Sequence, residues 1–368
     1  MHVECTATPL EVPHEMMEVR AAFVPRLLAM NGPVLAAAML LLAVALIALT
    51  QGAADIPIQT TVLLLLDRLP FVTIEQDVPA IWESIVFDIR LPRIIAAALV
   101  GSALSYSGTA YQGIFRNPLA DPFLLGVASG AGFGATIAIV SPLPNAAYGF
   151  GWVPVFAFIG ATVTVTLVYL VSRSAPGSQG ATLILAGVAL SAVLSAGISF
   201  MLLTGGDSSQ PILSFIFGGF NTASWARLAA ALPYIAVGGL VISLHARILN
   251  VFQLDREQAA QLGVDVTKST LVVLAAASLM AAAAVAVAGI IGFVGLIVPH
   301  AARMLVGSDH RRLLPVAAFG GAAFLIVADL ASRTLLAPQE IPVGVLTAML
   351  GGPFFLYLLR TRRVDGGR

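Results

Sequence analysis

The chain has 368 residues, of which 58% are hydrophobic and only 10% charged, and its 19 basic and 19 acidic side chains leave no net charge. Water-soluble domains carry about a quarter charged residues, so water is not the principal solvent here, and the balanced charge excludes the broad basic field of a nucleic-acid binder. The single cysteine, Cys5, makes neither an intrachain disulfide nor a thiolate metal site.

Residues 1–32 read as a cytoplasmic N-terminal extension. Glu11, Glu15 and Glu18 come first, then Arg20 and Arg26, and this is not the charge order of a cleavable signal. A membrane-spanning domain follows over residues 33–360, with a short cytoplasmic tail at 361–368. A crossing helix needs roughly 20 mostly apolar residues. Stretches of that kind fall at about 33–50, 94–115, 123–140, 152–172, 182–203, 226–245, 267–288, 290–306, 313–333 and 341–359. The fold class expected is therefore all-α, a polytopic membrane bundle of about ten transmembrane helices. Basic residues set its orientation: Arg68, Arg90, Arg93, Arg227 and Arg333 fall on one side and all the others on the opposite side, so both termini are placed in the cytoplasm.

Arg90-Leu91-Pro92-Arg93 opens the second span, with Pro92 suited to a first helical turn. Two cations at a helix N-terminus oppose its dipole; snorkelling to lipid phosphates and contact with an acidic protein surface are the two explanations. Small residues recur every fourth position, as in Gly101, Ser105, Thr109 and Gly113, in Gly126, Gly130 and Gly134, and in Gly344, Ala348 and Gly352. Such stripes let helix backbones approach in lipid. A further stripe, Gly187, Ser191, Ser195 and Ser199, carries hydroxyls that could wet a central path. Between spans six and seven lies a polar cytoplasmic segment at about 250–265. In it Asp255 can cap a short helix with Gln258 completing a capping box, and Gly263 suits its left-handed stop. So short a helix is marginal alone, which points to a docking surface for a cytoplasmic subunit. Asp329 and Arg333, four apart, can pair on one helix face.

Catalytic motifs are missing. Gly130-Ala131-Gly132-Phe133-Gly134 sits inside an apolar span, and in Gly263-Val264-Asp265-Val266-Thr267-Lys268-Ser269 a threonine stands where a phosphate loop requires glycine before lysine. The chain is thus expected not to be an enzyme and to bind no cofactor, any ATP and magnesium belonging to a partner.

The motifs Arg90-Leu91-Pro92-Arg93, Gln112-Gly113-Ile114-Phe115-Arg116-Asn117-Pro118-Leu119-Ala120-Asp121-Pro122, Leu185-Ala186-Gly187, Gln261-Leu262-Gly263, Gly289-Ile290-Ile291-Gly292-Phe293-Val294-Gly295-Leu296-Ile297-Val298-Pro299-His300, Asp309-His310-Arg311 and Ile341-Pro342-Val343-Gly344 occur in that order. Together they closely resemble the permeases of type II ABC importers for siderophores, haem and cobalamin, the FecCD/BtuC-like family. The resemblance implies a multi-pass permease of the bacterial inner membrane. Its partners would be a second copy of itself, two cytoplasmic ATPases, a periplasmic binding protein and membrane lipid, with no nucleic acid. Arg90, Arg93 and Arg333 would receive acidic groups of the binding protein. Leu254, Asp255, Arg256, Glu257, Ala259, Leu262 and Gly263 would couple to an ATPase, and Asn117, Pro118 and Leu119 would close the cytoplasmic gate. Ser191, Ser195 and Ser199 are the candidates for lining the pathway. Around Gly180-Ala181 the family's usual hydroxyls are absent, so a second gate is not carried over. The expected function is ATP-driven import of a bulky iron complex (siderophore or haem) or cobalamin by alternating access. A secondary transporter or channel is the alternative; it would rely on intramembrane ionisable residues, for which only His300 and Asp329 come near.

Overall fold

The computed structural model describes residues 14–52, 56–68, 79–142, 151–174, 179–254, 258, 261–263 and 265–365. In chain order its helices are α1 (His14–Thr50), α2 (Ile58–Asp67), α3 (Ala80–Ser84), α4 (Leu91–Phe115), α5 (Val127–Val140), α6 (Trp152–Ser174), α7 (Gln179–Thr204), α8 (Ser209–Phe217), α9 (Trp225–Leu244), α10 (Ala246–Val251), α11 (Val266–Ala288), α12 (Val294–Val306), α13 (His310–Thr334) and α14 (Val343–Asp365). The described residues contain no strand. A helix falls in each of the ten expected stretches. Six, at Gly32–Thr50, Trp152–Ser174, Thr182–Thr204, Trp225–Leu244, Val266–Ala288 and His310–Thr334, are long and apolar enough to cross a membrane by length and composition. Within the expected N-terminal extension the chain is helical from His14 onward, and α1 runs from there into the first span.

Helices α4, α11 and α13 form the centre. Their faces meet almost backbone to backbone, as the small-residue stripes require. A Cβ on Gly101 would lie 2.1 Å from the Gly321 carbonyl oxygen of α13, and α12 comes equally close to α4, since a Cβ on Gly108 would lie 2.1 Å from the Gly295 carbonyl oxygen. The same approach lets Ser105 Oγ donate to the Ala317 carbonyl at 2.7 Å and Ser102 Oγ to Ala318 at 3.0 Å, tying α4 to α13. Tyr111, fully buried, shares a 2.6 Å hydrogen bond with Ser278 of α11. Lipid gives no hydrophobic drive for helix association, so these close contacts and buried polar pairs hold the centre.

Three expected boundaries differ. Pro92 does not open a helix: α3, a π-helical turn at Ile85–Arg90 and α4 form one continuous rod. Proline has no N–H to give the carbonyl four residues back, and the wider turn absorbs that loss. The stretch at 123–140 is divided at Gly126 (φ +82°), with a 3-10 turn Pro122–Leu125 before α5. The stretch at 290–306 becomes helical only at Val294, because residues 289–293 are extended or turned. The break is pinned by α8, a short helix the hydropathy did not separate, and the turn after it: Ile290 N donates to the Phe215 carbonyl at 3.1 Å, and Gly219 N donates to the carbonyl of Ala288, the last residue of α11, at 2.8 Å. Irregular backbone at membrane depth is stable only with such partners. Gly344 lets α14 close on the same junction, since a Cβ there would meet the Phe217 oxygen at 2.2 Å.

Candidate translocation and docking sites

At the end of the bundle where α1 stops and α4 starts, five charged side chains converge from three segments. Arg93, near the start of α4, turns inward. Its Nε donates to Asp329 Oδ1 and Oδ2 at 2.9 and 3.1 Å, and its Nη1 and Nη2 donate to Glu340 Oε1 and Oε2, both at 3.0 Å. Arg333 lies 3.5 Å from Asp329 one helical turn away, and donates to the Gln51 and Ala48 carbonyls at 2.9 and 2.8 Å. Arg90 Nη1 donates to the Leu49 carbonyl at 2.9 Å. Thus Arg90 and Arg333 serve the last carbonyls of α1, where cations complement the helix dipole.

The three arginines expected at a docking surface are turned into the protein. Arg90, Arg93 and Arg333 are only 4%, 9% and 9% exposed. Arg90 and Arg333 stabilise the end of α1, and Arg93 is neutralised by Asp329 and Glu340. Glu340, with 40% of its side chain exposed, is the acid of the cluster that reaches solvent. Hydropathy gave no sign of it, because it lies in the short connection before α14. The Asp329–Arg333 pair is present as expected. Asp329 is 1% exposed and held between two arginines, and His300 packs its ring edge-on against Phe354.

The opposite end holds the turn after α4. Arg116 adopts the left-handed conformation (φ 49°) and ends that helix. Asn117 Oδ1 accepts from Leu119 N at 3.0 Å, and Asp121 Oδ1 accepts from Phe123 N at 2.8 Å, capping the 3-10 turn. Burial raises the Asp121 carboxyl to about 6, opposed by that backbone bond. Asn117 is exposed, while Pro118 and Leu119 are half-buried. Helix α7 reaches the 3-10 turn through Gly187, whose Cβ would lie 2.2 Å from the Leu124 oxygen.

The serine stripe on α7 does not share one environment. Ser191 Oγ accepts from Ser129 Oγ of α5 at 2.9 Å and is half-buried, whereas Ser195 and Ser199 are exposed. Four residues advance a helix by slightly more than one turn, so the stripe winds from an internal contact to an open face. That face is apolar elsewhere: Leu185, Val188, Phe200 and Leu203 are exposed, and only 11% of the α7 span is buried.

Of the expected coupling residues, Asp255, Arg256, Glu257 and Ala259 lie outside the described residues. Leu254 and Leu262 are exposed, Leu262 by 62%. Gly263 has φ +76°, the left-handed stop its position suggests. The segment is anchored by α10. Asn250 Nδ2 donates to Asp309 Oδ1 at 2.6 Å, Asn250 Oδ1 accepts from His310 N at 2.8 Å, and Gln253 Nε2 donates to the Ser308 carbonyl at 2.7 Å. The Asp309-His310-Arg311 motif therefore bolts α10 to the start of α13, a role its sequence did not disclose. The described residues hold no group of three or more His, Cys, Asp or Glu arranged to bind a metal.

Residues 40–361 match the FecCD transport family. The chain belongs to that family. It is 46% identical over 287 residues to the cobalamin import system permease protein BtuC of Halobacterium salinarum, covering 78% of this chain and 76% of that one. It is 44% identical over 287 residues to the hemin transport system permease protein HmuU of Yersinia pestis, covering 77% and 85%. A solved metal-chelate type ABC transporter in an inward-facing conformation superposes with a TM-score of 0.74 at 32% identity, covering 89% of this chain and 98% of that one. This FecCD chain is accordingly an ABC importer permease, multi-pass in the membrane, from a family serving iron chelates, haem and cobalamin.

Proposed function

We propose that this permease is the translocation subunit of a primary active importer of the bacterial inner membrane. Two copies enclose a path, two cytoplasmic ATPases drive it and a periplasmic binding protein supplies the cargo. A bulky iron complex (siderophore or haem) or cobalamin then passes inward by alternating access. The observation that carries this is the family match from residue 40 to 361, which takes in the buried centre, the coupling segment and the outer charge cluster.

Several features support the parts. The bare face of α7 suits a second copy, and Ser195 and Ser199 on it suit a hydrated path between copies better than lipid. Exposed Leu262, beside a segment bolted to α13, suits an ATPase cleft. ATP and magnesium reside on that ATPase, and this chain binds no cofactor of its own. On the outer surface, an acidic group of the binding protein takes the place of Glu340 on the Arg93 fork, with Arg90 and Arg333 holding the surrounding frame. The turn Asn117-Pro118-Leu119 closes the cytoplasmic end. A proton-coupled carrier is disfavoured, because Asp329 is already neutralised by two arginines.

The test is uptake into proteoliposomes carrying the permease with its cognate ATPase and binding protein, using labelled cobalamin, haemin and a ferric siderophore in parallel. ATP-dependent accumulation of one cargo is expected. Accumulation without the ATPase, driven by an ion gradient, would overturn the proposal.

A further inference from the structure

Helices α6 and α9 both begin with tryptophan at the end of the bundle that carries Arg93. Trp152 and Trp225 are part-exposed, and Trp225 Nε1 donates to the Phe87 carbonyl at 3.1 Å just before α4. Tryptophan concentrates at the headgroup level of a bilayer, so the two rings mark that level. Arg227 lies between them and is half-buried. Its Nη1 donates to Thr222 Oγ1 at 2.5 Å, yet no acidic side chain among the described residues is within ion-pair distance of it. The contrast with Arg90, Arg93 and Arg333 is plain, since each of those is engaged by carbonyls or carboxylates inside the protein.

Two adjoining cavities open on Arg227. One, of about 200 Å³, is bordered by Ser214, Asn221 and Thr222. The other, of about 310 Å³, is walled by Val155, Phe158, Ala230, Pro233, Tyr234 and Ala283. Pro154, Arg227, Ala286 and Val287 line both, so a compartment edged by three polar side chains leads past a cation into a more apolar one. The rings of Phe158 and Tyr234, 4.9 Å apart, border the apolar compartment. Tyr234 lies about 13 Å along α9 from Trp225 at 1.5 Å per residue, which is the depth of the upper acyl chains. Pro233 interrupts the hydrogen-bond ladder of α9 beside the groove.

We propose that this is a phospholipid site: the guanidinium of Arg227 holds the phosphate of an anionic lipid, the compartment edged by Ser214, Asn221 and Thr222 takes its headgroup, and an acyl chain fills the groove between α6 and α9. A cation with no acidic neighbour among the described residues selects a net negative lipid. A free phosphate would satisfy Arg227 but leaves the groove without a purpose, and the connection of the two compartments favours one amphipathic occupant. The site is independent of the transport proposal, since it shares no residue with the pathway or the docking surfaces.

The experiment is native mass spectrometry of the delipidated full-length permease titrated with phosphatidylglycerol, phosphatidylcholine or inorganic phosphate. Wild type should retain phosphatidylglycerol in preference to phosphatidylcholine. Arg227→Gln should weaken that binding roughly tenfold, as expected for a lost charge-assisted contact. Ala230→Phe, which fills the groove and leaves the cation, should also reduce it, and Val155→Trp from the facing wall does the same should that variant fold poorly. Melting without lipid reports folding separately. Unchanged phosphatidylglycerol binding in folded Arg227→Gln overturns the proposal. So does displacement of the lipid by millimolar phosphate with no effect of the groove variants, which would mean a free-anion site.

Discussion

Replacing Asp329 with alanine tests whether the cluster of Arg90, Arg93, Asp329, Arg333 and Glu340 is a structural clamp. The carboxylate is 1% exposed, receives two hydrogen bonds from Arg93 at 2.9 and 3.1 Å and sits 3.5 Å from Arg333. Removing it shifts the five-residue cluster from one excess positive charge to two, with both arginines still buried. Arg93 keeps Glu340 and Arg333 keeps the α1 carbonyls, so neither is abandoned outright. Loss of one partner from a buried ion pair costs about 3–5 kcal/mol, and the surviving contacts place this case at the lower end. In a chain of this size that corresponds to a fall of roughly 5 °C in the apparent melting midpoint in detergent. The measurement is a thermal aggregation or fluorescence scan of purified wild type, Asp329→Ala and Asp329→Asn, where the amide keeps one acceptor and should fall between. A midpoint for Asp329→Ala within 1 °C of wild type would refute the clamp.

Other changes probe different levels. Leu262→Asp places a charge on the exposed apolar side of the coupling segment and should abolish co-purification of the ATPase while leaving membrane insertion normal; intact assembly with normal uptake would rule out docking there. Glu340→Gln should strengthen binding-protein association severalfold at low salt, since it frees the Arg93 fork and removes a like charge, and weaker association instead would make Glu340 part of the docking surface. The Asp121 carboxyl, raised by burial to about 6, binds more protons folded than unfolded. Its contribution to stability is therefore greatest at low pH and falls as pH rises from about 4 to 6. Asp121→Asn, which keeps an acceptor for Phe123 N, should flatten that stretch of the stability–pH curve, and an unchanged slope counts against this assignment.

Much of the bundle was legible because lipid imposes a simple rule. Charge-free runs and small-residue stripes marked the helices, and Gly101 sits at the close approach its spacing announced, whereas Gly108, outside that stripe, makes a second one that the sequence reading did not name. Charges were less readable. Arg90 and Arg93 looked like cations at the mouth of one helix, but their partners come from α1, α13 and the segment before α14, far away in sequence. Whether a side chain faces a rim or a neighbour's carbonyls is decided by tertiary packing, which hydropathy does not carry. Helix α8 and the break at 289–293 escaped for a related reason. Each is irregular or short alone and makes sense only as the hydrogen-bond partner of the other. Ser191 was placed with Ser195 and Ser199, yet helical drift sends it inward to Ser129.

The glycine contact between α4 and α13 has a mechanical implication. Helix α13 is about 37 Å long at 1.5 Å per residue, and its two ends are gripped, by Asn250 through Asp309 and His310 at one and by Arg93 through Asp329 at the other. Gly321, pressed against Gly101, lies close to its midpoint and offers no side chain to cushion sliding. A rigid rod so supported behaves as a lever with nearly equal arms. Any tilt about that fulcrum carries the two ends in opposite directions by similar amounts, so a push at the Asn250–Asp309 bolt arrives at the far end inverted in sense but scarcely diminished.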